Sequence, residues 1–264
     1  GSTSSVRMNP EDNRSNRQAL ELLDDIIRHF IEQRRQHPPA DDLLGVLLYL
    51  EDERGNPALG PTELRDEVAT ILLGGHETTS VALTWLLWEA ALHEESLYPL
   101  LEQEWTRVLG PARPAWEHLR QLPFTQAVVH ETLRVHPPVW GLVRGVAQDS
   151  RIGDYDFPAG EFVLLSPYFA HRNPDVWEDP EVFRPERFHD GIPKELPRGA
   201  YIPFGAGPHV CIGQHVANME MLIALPIWLR EFRFLPLDTS PVEPMPLITL
   251  RPGRKLEVKL ERRA

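Results

Sequence analysis

A mainly helical α+β domain is the fold class this sequence predicts, on three observations. Apolar residues at helical spacing recur through residues 14–135. After Pro137-Pro138 the texture changes to short β-like runs split by glycine and proline. A last helical run follows Cys211, the only cysteine in 264 residues, and leads into a β-type tail.

The opening Gly1-Ser2-Thr3-Ser4-Ser5 reads as an expression remnant, so residues 1–13 are set aside as a flexible lead and 14–264 taken as the domain. Residues 14–36 carry Leu20, Leu23, Ile27, Phe30 and Ile31 on one face, which predicts an amphipathic helix ended by Pro38-Pro39. Asp41-Asp42 opens a shorter helix to about Leu50, followed by a turn at Arg54-Gly55-Asn56-Pro57. The longest helix runs from Thr62 to about His93. Its centre, Val68 to Leu87, is apolar on nearly every side, which predicts burial all round. Gly74-Gly75 in its middle is unfavourable by about 1 kcal/mol per glycine relative to alanine, so a packing or functional reason is expected there. Helices at about 95–109 and 123–135 come next. Short strands follow at Leu142-Val143, Arg151-Ile152, Tyr155–Phe157 and Phe162–Leu165, then an irregular, proline-rich stretch over 172–202. A helix to about Arg230 and a tail with β runs at Leu247–Leu250 and Lys255–Leu260 complete the chain; Pro226 inside the helix is a local irregularity.

Acidic residues outnumber basic ones 39 to 27, a net charge of −12, which argues against a nucleic-acid partner. A single cysteine excludes an internal disulfide and fits a reducing, cytoplasmic compartment. No apolar run reaches membrane-spanning length. Three His-Glu pairs occur, but none has a histidine four residues after the first, so no zincin helix is present. C-x-x-C-H, a P-loop lysine, a third Rossmann glycine and a G-x-S-x-G elbow are likewise missing.

Chemistry concentrates in Pro203-Phe204-Gly205-Ala206-Gly207-Pro208-His209-Val210-Cys211-Ile212-Gly213. A cysteine entering a helix N-terminus meets unpaired N–H groups and the positive end of the helix dipole, which suit a negative sulfur. The apolar set Ile212, Val216, Met219, Leu222 and Ile223 sets the helical spacing. The glycines let something flat approach the backbone. Such a loop is a seat for a soft, sulfur-liking metal centre, whereas a lone cysteine is otherwise a buried, inert one. In the long helix, Glu77 and Thr78 follow Gly74-Gly75; a neighbouring acid and alcohol can relay protons, or simply bond their own backbone and a nearby base.

The order Phe204-x-x-Gly207-x-His209-x-Cys211-x-Gly213 resembles the haem-binding loop of the cytochrome P-450 family. That resemblance implies haem b (iron protoporphyrin IX) with Cys211 as its axial thiolate, and a P-450-like fold with a long central helix and small sheets. Glu77 and Thr78 resemble the family's acid–alcohol pair, which supplies protons for oxygen activation, with Gly74-Gly75 leaving the groove for oxygen. Glu131-x-x-Arg134 and the later Arg187 resemble its buried charged triad, a structural role. His209 and Arg144 fall where the family places propionate-binding groups.

The similarity implies a haem-thiolate monooxygenase fed by a ferredoxin or flavin reductase, with peroxide as a substitute. It covers only the C-terminal part of a usual member. The expectation is therefore a truncated or split form, or a laboratory piece of a longer protein. An open site would leak protons, and uncovered apolar surface would call for a second chain or homodimer. The other reading is a haem-binding or scaffold homologue acting through a partner. The loops that choose substrate are not recognisable in the chain.

Overall fold

The computed structural model describes residues 10–37 and 42–263, with side chains from residue 17. The lead before Pro10 and the Pro38-Pro39 helix stop lie outside the described residues. The chain divides into two compact units, Gly1–His76 and Glu77–Ala264.

The first unit is built by α1 (Pro10–Arg35), α2 (Leu43–Tyr49) and the start of α3 (Pro61–Leu92). Helix α1 begins four residues earlier than the pattern predicts, and its buried stripe is narrower. Ile27 and Ile31 join Leu64 in a small core, while Leu20 and Phe30 are exposed. Asp42 caps α2, its carboxylate accepting the Gly45 N–H at 2.6 Å. The predicted turn closes at Gly55 (φ 80°), with Asp52 accepting the backbone N–H groups of Arg54 and Asn56.

The second unit takes the rest of α3 together with α4 (Glu94–Val108), α5 (Pro123–Val135), the short α6 (Pro167–Ala170) and α7 (Gln214–Glu231). Its main core joins Ala82, Leu86, Leu101, Trp105, Val128, Leu133, Met221 and Leu225, contributed by four helices. Burial all round does not hold for α3: it is densest from Val81 to Ala91, where Thr84 still faces solvent, and Leu72, Leu73 and the Gly74–His76 turn are exposed. Apolar composition gave no warning of this, because a run of leucines looks the same whether or not neighbours cover it.

Helix α5 starts without a capping side chain of its own. Buried Glu104 of α4 supplies one instead, accepting the Phe124 and Thr125 N–H groups at 2.7 and 2.9 Å and the Thr125 hydroxyl at 2.6 Å. A carboxylate there also meets the positive end of the helix dipole.

Every sheet is a two-stranded antiparallel pair. Strand β1 (Leu142–Gly145) pairs β4 (Phe162–Leu165), and β2 (Ser150–Ile152) forms a hairpin with β3 (Tyr155–Phe157). Strand β5 (Phe232–Pro236) pairs β8 (Val258–Arg262), and β6 (Pro244–Pro246) pairs β7 (Leu250–Pro252). The tail thus differs from its prediction: Leu247–Leu250 is mostly the hairpin turn, and β5 follows α7 directly. Proline at Pro236, Pro244, Pro246 and Pro252 removes ladder donors and hides such strands from pattern reading.

The irregular stretch over 172–202 is packed, not loose. Trp177, Phe188, Leu196 and Tyr201 close over Ala127 of α5.

Candidate functional site

The cysteine loop is shaped by two glycines in the left-handed region, Gly205 (φ 75°) and Gly207 (φ 73°). Half-buried Phe204 roots it in the helical core. Its carbonyl accepts the Cys211 N–H at 2.9 Å, and the Gly207 carbonyl accepts the Val210 N–H at 3.1 Å, so the backbone curls under the sulfur. Cys211 itself is exposed.

Its setting differs from the prediction in one respect. Gly213 is the N-cap of α7, which begins at Gln214, so Cys211 lies just before the helix and not in its first turn. Ile212 and Val216, expected on the packed face, are exposed, Ile212 at 84%. Packing of α7 starts at Met219 and Leu222. An exposed isoleucine beside an exposed cysteine makes a flat apolar and sulfur-bearing surface.

Strand β1 runs alongside this loop: a Cβ added at Gly205 would lie 3.9 Å from Leu142 Cδ1. Two residues on, exposed Arg144 sits opposite Val163, with its guanidinium donating to the Val143 carbonyl at 3.0 Å. His209 is exposed on the loop. Two nitrogen-bearing side chains, one on the loop and one on the strand beside it, therefore carry no ion pair to a carboxylate among the described residues. A negatively charged group brought to this surface would find them available.

Glu131, Arg134 and Arg187 are brought together. Glu131 and Arg134 are fully buried and meet side by side, Nε to Oε2 at 2.7 Å and Nη2 to Oε1 at 2.8 Å. Arg134 also donates to the carbonyls of His171, Pro180 and Val182, which occupies all five of its N–H groups. Arg187 Nε lies 3.5 Å from Glu131 Oε1, an ion pair without an aligned hydrogen bond, while its Nη2 donates to the Asp179 carbonyl. Asp179 holds φ 44°, uncommon for a residue with a side chain. The Glu131 carboxylate further accepts the Arg184 N–H at 2.7 Å. Two helical residues thereby fix the backbone between residues 171 and 187.

Glu77 and Thr78 lie on α3 as predicted. Sequence reasoning left the partner of Glu77 open, and the structure supplies it from the far end of the chain. The Thr249 hydroxyl donates to Glu77 Oε1 at 2.6 Å, and Arg251 Nη2 lies 2.8 Å from the same oxygen. Neither residue carried a local signal, since the separations in sequence are 172 and 174.

A second polar cluster also escaped the sequence reading. His136, stacked on Trp85 with ring centroids 3.8 Å apart, meets Glu89 at 2.7 Å, and His93 lies on the other Glu89 oxygen. Burial works against the Glu89 charge, but hydrogen bonds from His136 and His93 prevail and hold the carboxyl down at about 2.

Among the described residues no group of three or more His, Cys, Asp or Glu side chains could hold a bare metal ion. One exposed thiol on a glycine-shaped loop, with a guanidinium and an imidazole on the loop and its neighbouring strand, suits a metal that arrives with a planar ring of its own ligands and carboxylate arms. The residues present fit a haem.

Comparison with known proteins gives a consistent result. The profile of the family described as Cytochrome P450 matches residues 3–260. The chain is 38% identical over 223 residues to cytochrome P450 4F5 of Rattus norvegicus, covering 83% of this chain and 42% of the relative. It is 39% identical to leukotriene-B4 omega-hydroxylase 3 of Mus musculus, with the same two coverages of 83% and 42%. With cytochrome P450 4F3 of Homo sapiens it shares 36% identity over 263 residues, 93% of this chain and 50% of the relative. Among solved structures, retinoic acid-bound cyanobacterial CYP120A1 aligns with TM-score 0.84 at 32% identity, covering 93% of this chain and 57% of that one. The haem domain of a cytochrome P450DA mutant aligns with TM-score 0.88 at 26% identity, covering 99% and 58%. The chain thus spans about half the length of the curated relatives it matches.

Proposed function

The chain belongs to the cytochrome P450 family, and on that footing we propose that it is a haem-thiolate monooxygenase acting on an organic small molecule. The observation that carries this reading is the exposed Cys211 sulfur on its glycine-shaped loop. Haem b is the form of the cofactor we propose. When bound, it supplies oxygen activation, the thiolate pushing electron density to the iron in favour of O–O cleavage.

The chain's own residues have separate tasks in this reading. Cys211 Sγ would hold the iron of the group, and the hydrogen bond from the Cys211 N–H to the Phe204 carbonyl fixes the backbone that carries the sulfur. Gly207 and Gly213 would leave room for the ring. Arg144 and His209 would hold its carboxylate arms. The Glu77 carboxylate takes up a proton and hands it on through the Thr78 hydroxyl. Glu131, Arg134 and Arg187 carry no chemistry; they hold the irregular segment that leads into the loop.

Residues 14–264 form the haem domain in this proposal. Electrons come from a ferredoxin or flavin reductase. A second chain or a second copy covers exposed apolar residues such as Phe162 and Phe169. No described helix is long and apolar enough to cross a membrane, and a cytoplasmic place is part of the same reading. A relative named for leukotriene B4 makes that lipid the first substrate to try.

The test is the absorption spectrum of the hemin-loaded, reduced protein under carbon monoxide. A thiolate-type Soret band that disappears in Cys211→Ala is the expected result. A band of imidazole type that ignores this substitution overturns the proposal and leaves a scaffold acting through a partner.

A further inference from the structure

We propose that Thr249 and Arg251 are positioning residues for Glu77, holding its carboxylate in the orientation from which it serves proton transfer; this rests on the haem-thiolate reading above. Three donors converge on a single oxygen. The Thr249 hydroxyl lies 2.6 Å from Glu77 Oε1, Arg251 Nη2 2.8 Å and Arg251 Nε 3.2 Å. An exposed glutamate on a helix samples several rotamers. One oxygen bound by a hydroxyl and a guanidinium has a single orientation, so the other oxygen is aimed as well.

The hairpin that brings these donors is itself clamped. The Leu250 carbonyl accepts the Trp85 indole N–H at 2.9 Å, and Trp85 lies on α3, the helix that carries Glu77. The Leu250 N–H donates to the Pro138 carbonyl at 2.9 Å, and the Leu247 carbonyl accepts the Trp140 indole N–H at 2.8 Å. Thr249 and Leu250 are almost fully buried. The donors therefore arrive on a rigid element fixed to the same helix as their acceptor. A chance surface ion pair lacks this support, and such pairs contribute little.

The β6–β7 turn ends in exposed apolar residues, Leu247 and Ile248 (88% exposed). One short segment thus carries both an apolar tip, fit for an organic molecule, and the donors that aim the acid.

The experiment has two arms, both on the full chain. In the haem-free protein, hydrogen exchange is followed at the amides of residues 247–252 in Arg251→Gln, Glu77→Gln and the double variant. Either single change is expected to speed exchange several-fold, with the double variant no faster than the singles. Additive effects, or exchange unchanged by Glu77→Gln, overturn the contact. In the hemin-loaded protein with a reductase, Arg251→Gln is expected to lower product formed per electron pair consumed by about tenfold. That is smaller than the 10²–10⁴-fold contribution of a positioned acid, as expected when the acid is misaimed and not removed. The KM should stay unchanged, and Arg251→Lys should restore much of the loss. Equal loss in Arg251→Lys and Arg251→Gln, or a loss entirely in KM, overturns the positioning role. Absence of the thiolate band in the unsubstituted protein overturns the function itself, an outcome distinct from either.

Discussion

Burial pushes the His171 imidazole down to about 4, and its surroundings show why. Nδ1 faces the Arg134 carbonyl at 3.2 Å, so it donates there, while Nε2 accepts the Ile202 N–H at 2.8 Å. Both nitrogens are used by the neutral ring, and a second proton would displace the Ile202 bond. His130, beside Tyr201, is likewise pushed down to about 4 by burial alone. A histidine whose folded value lies below its unfolded value of 6.5 contributes stability that is complete above the unfolded value. That stability is lost as pH falls toward 4. For His171 this amounts to about 3 kcal/mol. The urea midpoint should fall steadily from pH 7 to 4, and His171→Asn should flatten the slope; an equal slope in the variant refutes the assignment. Glu89 adds loss only below about 4.5, as its carboxylate is protonated on the way to about 2. The Glu131–Arg134 pair gives a second prediction at this scale. Glu131→Ala strands a buried guanidinium, and typical losses of that kind are about 3–5 kcal/mol. Chemical denaturation of the haem-free chain measures it, and a loss below about 1 kcal/mol would contradict the fully buried geometry. Cys211 stood out as the only cysteine, in a glycine-rich loop, whereas Glu131 and Arg134 were singled out through the family resemblance. His171 was not, since its partners come from residues 134 and 202.

At the scale of elements, helices were easier to read than strands. α3, α4 and α5 fall within a few residues of their predicted ranges, because an apolar stripe repeats several times within each. Strands β5 and β6 were missed because short, proline-bearing segments offer no such repetition. The start of α5 fell where the pattern put it, but its cap was invisible, because Glu104 belongs to a different helix. Glu104→Ala leaves two buried N–H groups and a hydroxyl without that acceptor. At about 1–3 kcal/mol per stranded group, an expected loss of at least about 3 kcal/mol should appear as a lower thermal midpoint. Gly75 of α3 makes the opposite prediction. A Cβ there would meet nothing within 4 Å, and alanine favours a helix by about 1 kcal/mol. Gly75→Ala should therefore stabilise the haem-free protein while lowering turnover if the groove serves oxygen. Stabilisation with turnover intact would remove Gly75 from the site.

For the whole molecule, the balance of covered and uncovered surface matters most. Ile212, Phe162, Phe169 and Ile248 are all more than two-thirds exposed, an unusual concentration of large apolar groups. Light scattering at increasing concentration should show self-association of the haem-free protein, reduced by hemin loading where haem covers Ile212. A monomer indifferent to both would argue against a covering partner. By itself the sequence determined the helical class, the sulfur-bearing loop and the family, because each is written in residues close together or at fixed spacing. Tertiary structure alone decided that Glu77 answers to Thr249 and Arg251, that Glu104 caps another helix, and that the middle of α3 lies open. Those facts depend on which distant segments come to rest beside one another, and local periodicity carries no information about that.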